Sequence, residues 1–307
     1  MNNTEIEHKE NFDLALYNTL RISSLAQDVY FPATKEEFVL LLANIDSPLV
    51  LGMGSNVLLS SYGMKTPVIV TKKLNKAEIN PPYFKLLTGC AASKISQMAL
   101  ELKLTGFEFL SGLPSTVGGA VCMNAGAHNQ EISDCFVQAE VYDSIDDDIK
   151  IFSKADMKFS YRNSVLKNQA RYYLLSSEFK LEKGESYQVI QELMNKNAEN
   201  RKEFQPDLRE PNLGCVFKNP VIEGKVVSAG KLLDECDMKS TLIGGAMVSH
   251  KHANFIINFN NATSFDYIKL MKEMQNRVLE KFNVKLVPEI IFSGSNIDEV
   301  NLWKTLY

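Results

Sequence analysis

Five cysteines and four histidines are all that 307 residues contain. Cys90, Cys122, Cys135, Cys215 and Cys236 are odd in number, widely spaced and never arranged as CxxC, which argues against a disulfide framework and a structural zinc site. His250 and His252 stand two apart without a third ligand, so no metal is expected and both read as structural or phosphate-side residues. No apolar run approaches the ~18 residues of a membrane span, and the opening MNNTEIEHKENF is too polar for a secretion signal. Basic residues are also short: 33 Lys and Arg against 37 Asp and Glu give a net charge of -4, with no basic cluster. Such a chain presents no attractive field to a polyanion, so nucleic acid is not an expected partner. A cytoplasmic location and no membrane partner are the matching expectations.

What is present suits a folded enzyme: 45% hydrophobic and 23% charged residues, over roughly two domains' worth of chain at ~150 residues each. The runs PLVLG, NVLLS, PVIVT, FKLLTG, FVQAEVYD and RYYLLSSEFKL predict strands. Thr34 with Glu37, and Thr263 with Asp266, have capping-box spacing; the second pair precedes a stripe of Tyr267, Met271, Met274, Val278 and Phe282 at helical steps. No repeat or low-complexity stretch occurs, and the acidic run at 146–148 reads as a hairpin turn or solvated loop. The polar segment 195–212 begins as a helix and is broken by Pro206 and Pro211, which predicts a boundary between two mixed α and β domains.

Several segments carry groups suited to chemistry. Gly52-Met53-Gly54-Ser55-Asn56 lies between apolar runs, where glycine lets backbone N–H groups approach an anion. It lacks the third glycine, following helix and acidic residue of a Rossmann site, and alone it reads as a tight turn. Ser111 to Ala120, followed by Met123-Asn124-Ala125-Gly126-Ala127, is crowded with glycine and other small residues. That implies backbone packed against something flat or charged, either a bound cofactor or another stretch of backbone. In FSYRNS, Arg162 offers a planar fork of donors for a carboxylate or phosphate. In GCVFKNP, the Cys215 thiol can serve as a proton donor or nucleophile, with no histidine partner evident. Glu289, in VPEII, is a carboxylate in an apolar run, costly to bury unless it is paired or works as an acid.

These segments in this order, from Tyr17-Asn18-Thr19-Leu20-Arg21 through GMGSN, SGLPSTVGGAVCMNAGA, FSYRNS, GCVFKNP, AGKLLDECDMK and GGAMVSHKHANFIIN to VPEIIFSG, resemble the UDP-N-acetylenolpyruvoylglucosamine reductase family over about residues 15–294. The resemblance implies an α+β protein. Residues 1–205 would form an FAD-binding domain of the vanillyl-alcohol-oxidase (PCMH) type, in two α+β lobes split near 75–85, and residues 206–307 a C-terminal α+β substrate-binding domain. It implies non-covalent FAD, NADPH as co-substrate, and reduction of UDP-GlcNAc-enolpyruvate to UDP-N-acetylmuramate by a monomer. Gly52, Gly54, Ser55 and Asn56 would face the FAD pyrophosphate, and Pro114, Ser115, Val117, Gly118 and Gly119 would line the rest of the flavin cleft. Arg162 and Glu289 match the pair that stabilises the enolate, and position 215 matches the proton donor. Arg201, Lys218 and Asn219 would contact the UDP-sugar.

The chain departs from the family pattern at two points. Cys215 stands where serine is usual, a chemically permissive exchange because a thiol near pKa 8.5 is the stronger acid. Ser115 makes PST of the usual PGT. The length and the FSYRNSVLK segment fit the family's shorter subtype, without an extra substrate-clamping loop. Two rivals remain: a flavin oxidase on the same scaffold, which has no reason to carry Arg162, Cys215 and Glu289 together, and a nucleotide-sugar-binding protein that has lost catalysis.

Overall fold

Val68–Val70 is a run of β-branched residues buried at every position, as expected of an inner parallel strand. It pairs in parallel with Leu25–Phe31 on one side and Leu49–Leu51 on the other, through Val29 and Leu49 opposite Val68. The computed structural model describes residues 6–167, 171–207 and 209–307. Two units make up the chain. The first comprises the segment ending at Lys9, Val29–Met53 and Pro67–Asn200; the second comprises Glu10–Asp28, Gly54–Thr66 and Arg201–Tyr307.

In the first unit, that small sheet packs with helix α1 (Lys35–Asn44) around Phe38, Leu41, Leu42 and Ile69. Thr34 caps α1 by accepting from the Glu37 amide, while the Glu37 carboxylate accepts from Ala33 N–H at 2.7 Å, one residue before the expected capping-box partner. A second, antiparallel sheet orders its strands Asp148–Ser153, Phe136–Asp143, Tyr172–Lys180, Tyr83–Leu87 and Ala77–Asn80. The acidic run at 146–148 turns the first hairpin, closed by Asp143 opposite Asp148. Helices α2 (Ala92–Glu101), α3 (Val117–Cys122) and α4 (Ile132–Cys135) contribute to this sheet's core, with Phe84, Phe107 and Phe179 meeting edge to face. Helix α5 (Tyr187–Phe204) packs Ile190 and Met194 on Leu100.

The second unit is built on a four-stranded antiparallel sheet, Asn212–Cys215, Phe255–Asn258, Ala246–Val248 and Leu242–Ile243 in spatial order. Helices α6 (Ala229–Glu235), α7 (Ser264–Phe282) and α8 (Ile297–Lys304) contribute to one apolar core. The stripe expected of α7 is buried: Tyr267, Met271, Met274 and Val278 are inaccessible, and Phe282 packs at the margin. A complete Thr263–Asp266 capping box starts it.

A single cut at 205 assigns residues 10–28 and 54–66 to the first domain, whereas the structure groups both segments with the C-terminal unit. The physical reason is non-local pairing. Val57–Leu59 forms a parallel ladder with Ile291–Ser293, and Thr19 Oγ1 donates to the Asn212 carbonyl at 2.6 Å, 193 residues along the chain. Hydrophobic periodicity carries no information about such partners.

Candidate active site

In both glycine-rich loops, several glycines answer to close packing inside the chain. A Cβ on Gly52 would come within 2.4 Å of Thr116 Oγ1, one on Gly118 within 2.0 Å of Thr88 Oγ1, and one on Gly126 within 2.6 Å of the Gln130 carbonyl. Gly54 has a φ of +62°, and a Cβ there would meet the Tyr17 carbonyl at 2.4 Å. Packing against the chain's own atoms, one of the two explanations open from sequence, accounts for these small residues on their Cβ side.

The loops differ in what their amides do. Ser115, Val117 and Gly118 donate to the Leu113, Cys90 and Thr88 carbonyls, all at 2.8 Å, and Gly119 N–H caps onto Thr116 Oγ1. Among the described residues, no backbone hydrogen bond uses the N–H groups of residues 52–56, whereas the Gly54 and Asn56 carbonyls accept from Thr19 and Ile291. The first loop therefore retains donors for an anionic group such as a pyrophosphate. The second can offer chiefly side chains, carbonyls and van der Waals contact. The residues fit a flavin dinucleotide in that division of labour.

Arg162 occupies the tight turn between Ser160 and Asn163 with a φ of +53°, a strained setting for a residue with a side chain. Its Nη2 donates to the Gly126 carbonyl at 2.9 Å and its guanidinium lies 5.1 Å from the centre of the Tyr161 ring. Buried Asn124 steadies this turn by donating to the Ser160 carbonyl, and Ser164 Oγ donates to the Cys122 carbonyl. Thus MNAGA and FSYRNS, read separately from sequence, form one structure.

In the second unit, Cys215 ends the strand opposite Phe255, after a bulge at Gly214. Gly214 has a φ of +77° with open space where a Cβ would point, so this glycine answers to backbone conformation alone. Immediately beyond, Glu289 N–H donates to the Val216 carbonyl at 2.8 Å and Lys218 N–H to the Val287 carbonyl at 2.9 Å. These bonds bring Glu289 beside the Cys215 segment. Asn56 completes the arrangement: its carbonyl accepts from Ile291 and its Nδ2 donates to the Glu289 carbonyl at 3.4 Å. Arg201, near the end of α5, has its pKa lowered by burial and interacts electrostatically with Cys215. Asn219 has its Oδ1 occupied by the Ala229 amide at 3.0 Å, which leaves Nδ2 as its donor.

Asn254 is a residue that motif reading overlooked. Buried at 2% exposure, it accepts from Phe217 N–H at 3.0 Å and donates to the Phe217 carbonyl at 2.8 Å, fixing the backbone that follows Cys215. An amide inside the apolar run HANFIIN was the available signal. His252 is structural: its Nδ1 accepts from Asn254 N–H, its ring sits under Gly230, and burial lowers its pKa.

Residues 205–293 match the family described as UDP-N-acetylenolpyruvoylglucosamine reductase, C-terminal domain, and residues 28–149 match an FAD binding domain. The UDP-N-acetylenolpyruvoylglucosamine reductase of Caldanaerobacter subterraneus is 37% identical, covering 92% of this chain and 93% of its own. That of Caldicellulosiruptor bescii is 38% identical over 96% and 93%. The crystal structure of the Thermus caldophilus reductase superposes with a TM-score of 0.79 at 30% identity, covering 94% of this chain and 99% of that one.

Proposed function

The chain belongs to the UDP-N-acetylenolpyruvoylglucosamine reductase family, and from that membership we propose that it catalyses the NADPH-dependent reduction of UDP-N-acetylglucosamine enolpyruvate to UDP-N-acetylmuramate. It is an FAD-dependent oxidoreductase of peptidoglycan synthesis. When bound, FAD would supply the two-electron redox chemistry that links NADPH to the substrate's vinyl group. The remaining work falls to the chain's own side chains.

Hydride addition leaves negative charge on the neighbouring carbon and its carboxylate, so donors must be aimed there and a proton must follow. Arg162 supplies a fixed cation, and Glu289, as a protonated acid, supplies a second hydrogen-bond donor to the enolate. Cys215 Sγ–H gives its proton to the carbon. Arg201, Lys218 and the Asn219 amide hold the phosphates and sugar, residues 52–56 offer N–H groups to the FAD pyrophosphate, and Pro114, Ser115, Val117, Gly118 and Gly119 line the flavin cleft. The protein acts as a cytoplasmic monomer in the cell-wall synthesis that supports cell shape and division. Among the described residues no helix is long and apolar enough to cross a membrane.

The observation that supports this reading is the backbone hydrogen bond from Glu289 N–H to the Val216 carbonyl at 2.8 Å, which joins the segment carrying the acid to the segment carrying the thiol. A flavin oxidase has no use for that pair. Purified protein should be yellow and should consume NADPH only when UDP-GlcNAc-enolpyruvate is added. Electron transfer to oxygen that ignores this substrate would establish the oxidase reading, and protein that stays colourless after reconstitution with FAD would end both.

A further inference from the structure

Asn124 follows α3 with a φ of +43° and is fully buried, so a polar side chain and a left-handed backbone are both committed to the interior of the first unit. Its amide is used in both directions: Oδ1 accepts from Ser133 N–H in α4 at 3.2 Å, and Nδ2 donates to the Ser160 carbonyl at 3.2 Å. That carbonyl also accepts from Asn163 N–H at 3.0 Å, and Ser160 N–H donates to the Asn163 carbonyl at 3.1 Å, which closes the turn holding Tyr161 and Arg162. Both lone pairs of the Ser160 oxygen are therefore engaged, one by the turn and one by Asn124. Two residues beyond Asn124, the Gly126 carbonyl accepts from Arg162 Nη2 at 2.9 Å. Gly126 is itself held, paired with Glu131 in a short hairpin where a Cβ would lie 2.6 Å from the Gln130 carbonyl. Residues 124–126 thus grip the arginine at two points, its turn through Asn124 and its guanidinium through Gly126.

We propose that Asn124 is a positioning residue for Arg162: by tying the Ser160 carbonyl to α4, it fixes the strained turn that aims the guanidinium at the enolate charge. This rests on Arg162 being an enolate-stabilising group. A left-handed φ of +53° at an arginine persists only where the surrounding structure over-determines it, and Asn124 supplies one of the bonds that do so from outside the turn. Asparagine suits the task because it tolerates left-handed backbone and carries a donor and an acceptor without charge, whereas a buried aspartate would bring a charge into the interior. A guanidinium displaced by about an ångström still lets substrate bind but stabilises the transition state less, so the loss falls on the chemical step.

The test compares parent, Asn124→Gly, Arg162→Ala and the double variant as full-length, FAD-loaded enzymes, following the two half-reactions by stopped flow and amide hydrogen exchange across residues 159–164. Glycine accepts the left-handed φ and removes both side-chain bonds. The expected result in Asn124→Gly is faster exchange in that segment and a roughly ten- to hundredfold slower reoxidation at saturating UDP-GlcNAc-enolpyruvate, with flavin reduction by NADPH unchanged. In the Arg162→Ala background, Asn124→Gly should add no further slowing. A merely structural role would slow both half-reactions and add to the loss of Arg162. Parental reoxidation or unchanged exchange in Asn124→Gly, or equal slowing with and without Arg162, overturns the proposal. Full activity in Arg162→Ala would overturn the enolate-stabilising reading and the proposal with it. Asn124→Asp, which keeps the acceptor for Ser133 N–H, takes the place of the glycine variant if that one does not fold.

Discussion

In the proposed reaction Cys215 gives the proton, at a position where the family resemblance implies serine. Serine and thiol both carry a transferable proton, so Cys215→Ser should retain turnover. Cys215→Ala removes the proton and should slow substrate reduction by about 10²- to 10⁴-fold, the usual contribution of a general acid, while NADPH still reduces the flavin. Stopped-flow measurement of the two half-reactions separates these outcomes. Burial pushes three of the other thiols well up, Cys90 and Cys122 to about 11 and Cys135 to about 12, and raises Cys236 as well. Away from the site, Glu140 shows a carboxylate held ionised. Burial opposes its charge, yet hydrogen bonds from Ser176, Lys35 and Lys85 outweigh burial and take its pKa from 4.5 to about 2. Because the folded pKa is the lower one, the stabilisation is complete above about pH 4.5 and is lost as pH falls through about 2. Glu140→Gln should therefore lower stability at neutral pH and flatten its decline between those values, as read by urea unfolding.

Helix α7 was legible because its signals are local: a cap, an acid three residues on, and an apolar stripe that needs only one face to pack against. Thr263→Ala removes an oxygen that accepts from the Asp266 amide at 3.1 Å and should cost about 1 kcal/mol in thermal or chemical unfolding. The glycine-rich segments were legible as unusual and ambiguous in meaning. Composition marks a close approach without saying what approaches. Only the fold reveals that Gly118 abuts Thr88 and Gly52 abuts Thr116, and that, among the described residues, backbone hydrogen bonds engage amides of one loop and not those of the other. Asn254 was missed for a related reason, since a single amide among apolar residues becomes meaningful once the 217 backbone is seen against it.

For the molecule as a whole, FAD binds the native state and so stabilises it by linkage, about 2.7 kcal/mol at a hundredfold excess over Kd. Stripping the flavin should lower the melting temperature, and adding FAD back should restore it in a concentration-dependent way, as differential scanning fluorimetry would read. The sequence by itself determined the order of motifs, the mixed α and β content, the identities of Arg162, Cys215 and Glu289, and the family to which they point. All of these are written in residue types and short spacings. Tertiary structure decided which segments share a unit, with residues 10–28 and 54–66 grouped with the C-terminal part, and it set Glu289 beside Val216 and Asn56 beneath Glu289. It also left the Tyr267 hydroxyl buried with no hydrogen-bond partner among the described residues. Strand pairing across such distances is fixed by closing the chain on itself, where the gain is packing and backbone hydrogen bonds between remote residues. No local pattern encodes that choice of partner.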